Sequence, residues 1–359
     1  MPRNSKPTRA ATLADVGRAA GVSAMAASAV LNGARTSARI SPAKRKLILE
    51  AAAKLAYRPN AAARALANRR MNTLGVAAVI EGGELNHYFL EVFNGILEAA
   101  AREGQNATVF ALHDWGDDTL RLHSICDGRI DGLILVAPTC EYGNVALPAH
   151  TPFVSVHANC PLPDVINIES NEEKGVYELV RYLISLGHRR IMHLSGPAGL
   201  LGTERRIRGY RRALSSARIK FDPALLVTGS YDSQTSRTIM SNWLGEHSGQ
   251  PLPHAIFCAN DSAAVGCLEA LAAVGVRVPE DISVAGFDDT LAARSTVPQL
   301  TTVRQPLRAM GARAVELLLE RITSETTQIA PTKSTVFTTE IVKRASTGQP
   351  PTVAQLIPG

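Results

Sequence analysis

Little in this 359-residue chain invites catalytic or membrane chemistry. Its five cysteines, at positions 126, 140, 160, 258 and 267, are widely spaced and odd in number, without the close pairs of a zinc site or a redox motif. They read as reduced, mostly buried small hydrophobes. Nine histidines are scattered with no HExxH or HxH arrangement, so neither a metal nor a cofactor is expected. No GxSxG, P-loop or nucleophile with its base is present, which argues against an enzyme. No uncharged apolar run approaches the roughly 20 residues that span a bilayer. Charges at Arg3, Lys6, Arg9, Asp15 and Arg18 leave no room for an apolar signal core, so a cytoplasmic protein without membrane contact is expected. Acidic residues are scarce in one region. Residues 1 to 70 hold 14 Lys and Arg against Asp15 and Glu50 alone, a net +12 in a chain totalling +6, so the remainder carries −6. A basic head on a mildly acidic body is the electrostatic footprint of polyanion binding.

What is present begins with Thr12 to Gly33, TLADVGRAAGVSAMAASAVLNG, which reads as two short helices broken at Gly21-Val22-Ser23. Thr12 and Asp15 have the spacing of a capping box, and Ser23 is placed to cap the second helix. Val16 with Ala20, and Ala27 with Val30 and Leu31, recur at helical spacing and face one another across the turn. The small residues Gly17, Ala20 and Gly21 allow the close approach a helix-turn-helix needs. Ser41-Pro42 opens a third helix running to about Ala56, with Leu47, Ile48, Ala51 and Leu55 as its expected buried stripe.

This stretch resembles the N-terminus of the lactose/galactose-repressor (LacI/GalR) family of bacterial transcription regulators. The likeness continues in the family's order through YRPNAAARALA (57 to 67), Tyr88-Phe89, RIRGY (206 to 210), ANDSAAVG (259 to 266), DISVAGFDDT (281 to 290) and LTTVRQP (300 to 306). It implies a repressor-type, DNA-binding transcription regulator acting as a homodimer on a near-palindromic double-stranded operator. Its affinity would be controlled by a small molecule, a carbohydrate in the first instance. The stretch ASTGQPPTVAQLIPG shows none of the leucine heptads that make tetramers of some relatives, so a dimer is expected.

From Leu74 the texture alternates apolar strand runs (74 to 80, 108 to 112, 132 to 137, 152 to 156, 190 to 194, 224 to 229, 254 to 259 and 282 to 287) with amphipathic helical stretches such as 90 to 102 and 171 to 186. That rhythm predicts an α/β fold of parallel sheets covered by helices. With the resemblance, the expected architecture is an N-terminal helix-turn-helix domain plus a two-lobed, periplasmic-binding-protein-like core. The expected boundaries are 1–58 for the DNA-binding domain, 59–71 for a hinge helix, 72–345 for the core and 346–359 for a flexible tail. Within the core, lobe 1 takes about 72–168 and 304–331, and lobe 2 about 170–301 and 333–345. Three crossings fall near 168–170, 302–305 and 330–334. The helix from Leu307 to Ile322 goes to the first lobe and a strand from Thr335 to Val342 to the second.

Carried over residue by residue, the resemblance puts Ala24, Met25 and Ala29 at base-reading positions of the second helix. Thr12, Ser23, Ser28 and Asn32 fall at phosphate-contacting ones, with Thr12 and Ser23 as helix caps alone being the even alternative. Asn60 caps the expected hinge helix, and Leu66 matches the leucine that relatives wedge into the minor groove. Effector contacts map onto Tyr88, Phe89, Ser155, Arg206, Tyr231, Asn260 and Asp288, with Gln305 at a crossing. The residues themselves allow local duties: Asp288 could cap its turn, Asn260 the following helix, and Arg206 could pair with Glu204. Ala26, Met25, Ala29 and Ser155 depart from residues common in the family. The competing readings are a sugar-binding protein with a solubilising basic head, an enzyme, and a regulator whose effector is a protein that would leave the cleft shallow or collapsed.

Overall fold

The computed structural model describes residues 10–32, 39–58, 70–80, 86–113, 115, 119–139, 147–162, 164–324 and 334–351. Asn60, Leu66 and nearly all of the expected hinge helix lie outside them. The chain divides into two units, one containing residues 1–73 and the other most of residues 74–359.

In the first unit, helices α1 (Leu13–Ala20), α2 (Ala24–Asn32) and α3 (Pro42–Lys54) pack around Val16, Ala27, Ile48, Ala51 and Ala52. Thr12 and Asp15 form the reciprocal capping box, with the Asp15 carboxylate accepting from the Thr12 backbone N–H at 2.9 Å. Gly21 ends α1 at φ +66°, the left-handed conformation glycine adopts without penalty. A Cβ on Gly17 would lie 2.8 Å from the Val22 carbonyl, so glycine is what lets the turn fold back on α1. The stripe of α3 differs from the expected one. Ile48 and Ala51 face the core as expected, joined by Ala52, whereas Leu47 and Leu55 are exposed. The three buried residues follow the i, i+3, i+4 spacing of one helix face; Leu47 lies beside that face, and Leu55, though in phase with it, is the cap residue past the helix end at Lys54.

The second unit holds two parallel sheets. The first has the order β11-β5-β4-β3-β1-β2, built from β1 (Thr73–Val79), β2 (Asn106–Leu112), β3 (Gly132–Val136), β4 (Phe153–Val156), β5 (Ile166–Ser170) and β11 (Thr335–Phe337). Helices α4 (His87–Arg102) and α11 (Leu307–Thr323) cover one of its faces, with Val92, Ile96, Met310 and Leu318 in the shared core. The second sheet, β7-β6-β8-β9, comprises β6 (Ile191–Ser195), β7 (Leu226–Thr228), β8 (Ala255–Cys258) and β9 (Ser283–Ala285), all paired in parallel. It carries α6 (Glu172–Ser185) and α7 (Leu201–Ser216) in one core, and α8 (Ser233–Glu246) and α9 (Asp261–Ala273) in another. Helix α5 (Thr119–Ile125) follows β2, and the short α10 (Leu291–Ser295) follows β9.

Between the sheets, β10 (Thr302–Arg304) and β12 (Glu340–Val342) form an antiparallel ribbon. The strand expected over residues 335 to 342 is therefore two strands. Thr335–Phe337 pairs with β5 in the first sheet, so the chain passes to β12 at Thr338-Thr339 rather than near 330 to 334. The tail is also anchored further than expected. Ser346 is fully buried and donates to the Val284 carbonyl at 2.6 Å, while Gly348 donates to Ser283 Oγ at 3.0 Å and accepts from His188. Cys126, Cys258 and Cys267 are free and buried, whereas Cys160 is disulfide-bonded, against the expectation of reduced cysteines throughout.

His193 is sealed in the second lobe, stacked 4.4 Å from Phe257, with Nδ1 on the Phe257 carbonyl and Nε2 without a partner. Burial lowers its pKa from 6.5 to about 4, with the Phe257 hydrogen bond opposing and the Arg206 charge adding to the fall. A neutral histidine of this kind stabilises the fold fully above 6.5, and that contribution is lost as pH drops toward 4. Relative to a His193→Phe variant, the wild type should lose about 2 kcal/mol between pH 7 and pH 5. Parallel urea titrations at the two pH values measure this, and identical pH slopes would refute it.

Candidate functional site

Two surfaces are built for recognition, one in each unit. On the head, Ser23 Oγ accepts from the Ala26 N–H at 3.2 Å, capping α2 and fixing the angle at which the helix leaves the turn. Ala24 and Met25 then stand exposed at its start, Met25 with 69% of its surface free, and Ala29 is half-buried one turn on. Asn32 Nδ2 donates to Ser28 Oγ at 3.3 Å, joining those two residues. Thr12 Oγ1 is engaged with Asp15, so its cap duty is visible.

In the second unit a cavity of about 630 Å³ opens at the carboxyl ends of the strands of both sheets, where ligands bind in α/β folds. Tyr88, Phe89, Arg206, Tyr231, Asn260 and Asp288 all line it. Ser155 and Gln305 do not. Ser155 sits inside β4, fully buried, with its Oγ donating to Asn167 Oδ1 at 3.0 Å. The cleft position goes to His157, just past the strand end at φ +51°, which lines the cavity. Gln305 is a bridge: it accepts from Ser170 Oγ and donates from Nε2 to Asp288 Oδ1 at 2.6 Å. It thereby ties the end of β5 in the first sheet to a cleft carboxylate in the second lobe. Phe89 is divided between cleft and core, since it stacks on Phe93 and is 4% exposed.

The centre of the cleft is an ion cluster that sequence inspection does not pair. Arg206 donates from Nε and Nη2 to Glu172 Oε1 at 3.0 and 2.8 Å, and from Nη1 to the Ala259 carbonyl. Its guanidinium lies 4.2 Å from the Phe287 ring centroid and 5.5 Å from that of Tyr231. Burial alone would lower its pKa, but the charge of Glu172, then Tyr231 and Asp288, raises it above the ordinary arginine value. Burial likewise works against the Glu172 carboxylate, yet Arg206 holds it below the usual range. Arg205 binds Glu169 at 2.6 Å and Glu172 at 3.4 Å. Glu204 is not the partner of Arg206. A Cβ on Gly209 would lie 2.4 Å from the Glu173 carbonyl, so glycine lets α7 press against the start of α6 and brings the two charges together.

Around this cluster the polar groups are oriented. Asn260 takes the helix-capping duty weighed for it, accepting from the Ala263 N–H at 2.8 Å, while Nδ2 donates to the Tyr231 carbonyl at 3.0 Å. Ser170 N–H donates to His157 Nε2 at 3.3 Å, so the neutral ring carries its proton on Nδ1 and gives it to the Tyr88 oxygen 2.7 Å away. Burial lowers His157 to about 4, which keeps that tautomer neutral at pH 7. The Tyr88 O–H is then left to donate into the cleft. Asp288 is raised by burial to about 6, with Arg206 and Gln305 opposing, and it stands at φ +115°. Behind it Asp261 accepts from the Thr290 N–H at 2.7 Å and from Thr302 Oγ1 at 2.6 Å, holding the turn that presents Asp288. Sequence reasoning missed Glu172, His157 and Arg205. The one signal for Glu172 was the acidic pair after Asn171 at a helix start.

No helix among the described residues is long and apolar enough to cross a membrane, and none of their His, Cys, Asp and Glu side chains cluster as a metal site. The family model for bacterial regulatory proteins of the lacI family matches residues 12–60, and that for a periplasmic binding protein-like domain matches residues 180–347. The HTH-type transcriptional repressor PurR of Vibrio atlanticus is 33% identical, with 87% of this chain and 92% of that protein covered. The ribose operon repressor of Haemophilus influenzae is 31% identical over the same shares. Among solved structures, the lac repressor dimer bound to operator and the anti-inducer ONPF has 28% identity, a TM-score of 0.81 and coverage of 95% of this chain and 100% of that one. The transcriptional regulator CelR–cellobiose complex has 28% identity, a TM-score of 0.68 and coverage of 94% and 99%. A helix-turn-helix head and a two-lobed periplasmic-binding-protein-like core, matched along nearly their whole length by transcriptional repressors, place this chain in the lacI family of bacterial transcription regulators.

Proposed function

We propose that the protein is a cytoplasmic, non-enzymatic repressor that binds a near-palindromic operator as a homodimer and is controlled by a small molecule held between its lobes. A carbohydrate is the first candidate, since a cellobiose complex and a ribose operon repressor stand among its relatives. The observation that carries the reading is the cleft itself: about 630 Å³, with Tyr88, Tyr231 and Trp115 offering ring faces and Arg206, Asn260 and Asp288 offering hydrogen bonds. A protein effector predicts a collapsed cleft, and this one is open, with both aromatic rings and polar groups in its lining. On the head, Ala24, Met25 and Ala29 would meet base edges through shape and the thymine methyl, because none of them hydrogen-bonds through its side chain. Thr12, Ser23, Ser28 and Asn32 would hold phosphates. Lobe closure would shift the paired heads through the segment containing Leu66.

Selection of bound duplexes from a random pool, followed by salt titration, tests this. An inverted repeat should emerge, bound about 10³-fold or more above random DNA and losing affinity steeply with salt. A pool that stays random would sink the proposal.

A further inference from the structure

We infer that the cleft is built for an uncharged effector: it takes neutral polyols or ring compounds and rejects their phosphate esters and carboxylates. The inference rests on the reading of the cavity as the effector site and names the charge class of what enters it.

An anion-binding cleft needs a guanidinium or ammonium whose charge is free to face the ligand. Among the described residues, the cleft is lined by two arginines and no lysine. Both arginines are already committed. Arg206 spends two donors on Glu172 and a third on the Ala259 carbonyl, and is 7% exposed. Arg205 is held by Glu169 and Glu172 from its outer side. Glu172, itself 2% exposed, thus sits between two guanidiniums and cancels the field either would offer.

Two further carboxylates line the cavity, Asp288 and Asp232. Asp232 is fixed as the cap of α8, accepting from the Thr235 N–H at 2.8 Å, and Asp288 is fixed by Gln305. Among the described residues, the lining thus sets two arginines against Glu172, Asp232 and Asp288, with Glu169 also paired to Arg205 and with His87, His113 and His157 as the lining imidazoles. His157 is neutral in its hydrogen-bonded tautomer. A phosphate or carboxylate entering beside Arg206 would lose its water without gaining an uncommitted guanidinium or ammonium, which is the costly case for a buried charge. A hydroxyl group fares differently. Arg206 has five N–H groups and uses three, so one on each Nη remains for a neutral oxygen, and Asp288 accepts a hydroxyl proton.

The test compares the full-length protein with Glu172→Gln, which removes the charge that neutralises Arg206 and leaves Arg205 paired with Glu169. Thermal unfolding is followed with inorganic phosphate or with chloride at matched ionic strength. The basic head is common to both proteins, so its phosphate contacts cancel in the comparison. Phosphate should raise the Tm of Glu172→Gln by several degrees more than that of the wild type. An equal rise in both would overturn the inference. Asp288→Asn, which leaves the arginine pairs intact, should show no such gain, so a phosphate gain there as large as in Glu172→Gln would also overturn it. The wild type is then screened against matched pairs: glucose with glucose 6-phosphate and glucuronate, cellobiose with cellobionate, and hypoxanthine with inosine monophosphate. Stabilisation confined to uncharged members supports the inference, and an anion that stabilises more than its neutral parent overturns it. A wholly silent panel beside the expected phosphate result counts against the small-molecule reading of the cleft while upholding this account of its charge.

Discussion

Replacing Glu172 with alanine should cost about 3–5 kcal/mol of stability, the usual consequence of leaving a buried charge without its partner. Arg206 would keep its cation between Phe287 and Tyr231, 7% exposed, with only the Ala259 carbonyl to solvate it. Arg205 would suffer less, because it retains Glu169 and is less deeply buried. Removing both members, as in Glu172→Ala with Arg206→Met, should recover most of the loss, since a hydrophobic replacement of a buried pair is often neutral. Urea titrations of the four proteins form a double-mutant cycle. Additive losses, or a single-variant cost within ±0.5 kcal/mol as at an ordinary surface site, would show that the pair is not a buried unit. The same variants separate stability from specificity, because Glu172→Ala also uncovers the guanidinium that the native cleft keeps neutralised.

Where the sequence was legible, the forces were local. The Thr12–Asp15 capping box, Gly21 as helix stop and Ser41 as cap each depend on residues within a few positions, and each is present. Strand positions followed from apolar runs because strands in a doubly covered parallel sheet are buried on both faces. Phase errors arose where composition stood in for geometry. Leu47 is apolar but lies off the face defined by Ile48, Ala51 and Ala52, and Leu55, in phase with that face, falls just past the helix end. The resemblance puts Ser155 in the cleft, but it lies within β4, and the residue that lines the cavity past the strand end is His157. The division of residues 335–342 into two strands of different sheets turns on two residues, Thr338 and Thr339, with no proline or glycine to mark the break. Least legible was the Glu172–Arg206 pair, 34 residues apart in sequence. It exists because two helices cross at Gly209, a tertiary fact that neither helix announces by itself.

A second such crossing carries the other large effect. Gly95 on α4 and Gly311 on α11 face each other's helix: a Cβ on Gly95 would lie 2.0 Å from the Arg308 carbonyl oxygen, and one on Gly311 would lie 2.1 Å from that of Val92. Both obstructing atoms are backbone, so no rotamer change relieves the overlap and the helices must part. Overpacking of a core costs about 1–3 kcal/mol where side chains can adjust, and Gly95→Ala should reach about 3 kcal/mol. For a unit of this size that is a fall in Tm of roughly 5 °C. Gly104, at φ +64° with no atom near its would-be Cβ, supplies the contrast, because alanine there meets conformational strain but no collision. The consequence reaches the cleft. Helix α4 begins at His87 under the Asn86 cap, and Tyr88 and Phe89 are in its first turn, so a shift of α4 displaces the phenol that His157 orients. Gly95→Ala should therefore weaken effector binding as well as stability, even though residue 95 does not line the cavity. Differential scanning calorimetry of the two glycine variants decides the matter: a Gly95→Ala protein melting within 2 °C of the wild type would mean that α4 and α11 do not pack at the distance their glycines imply.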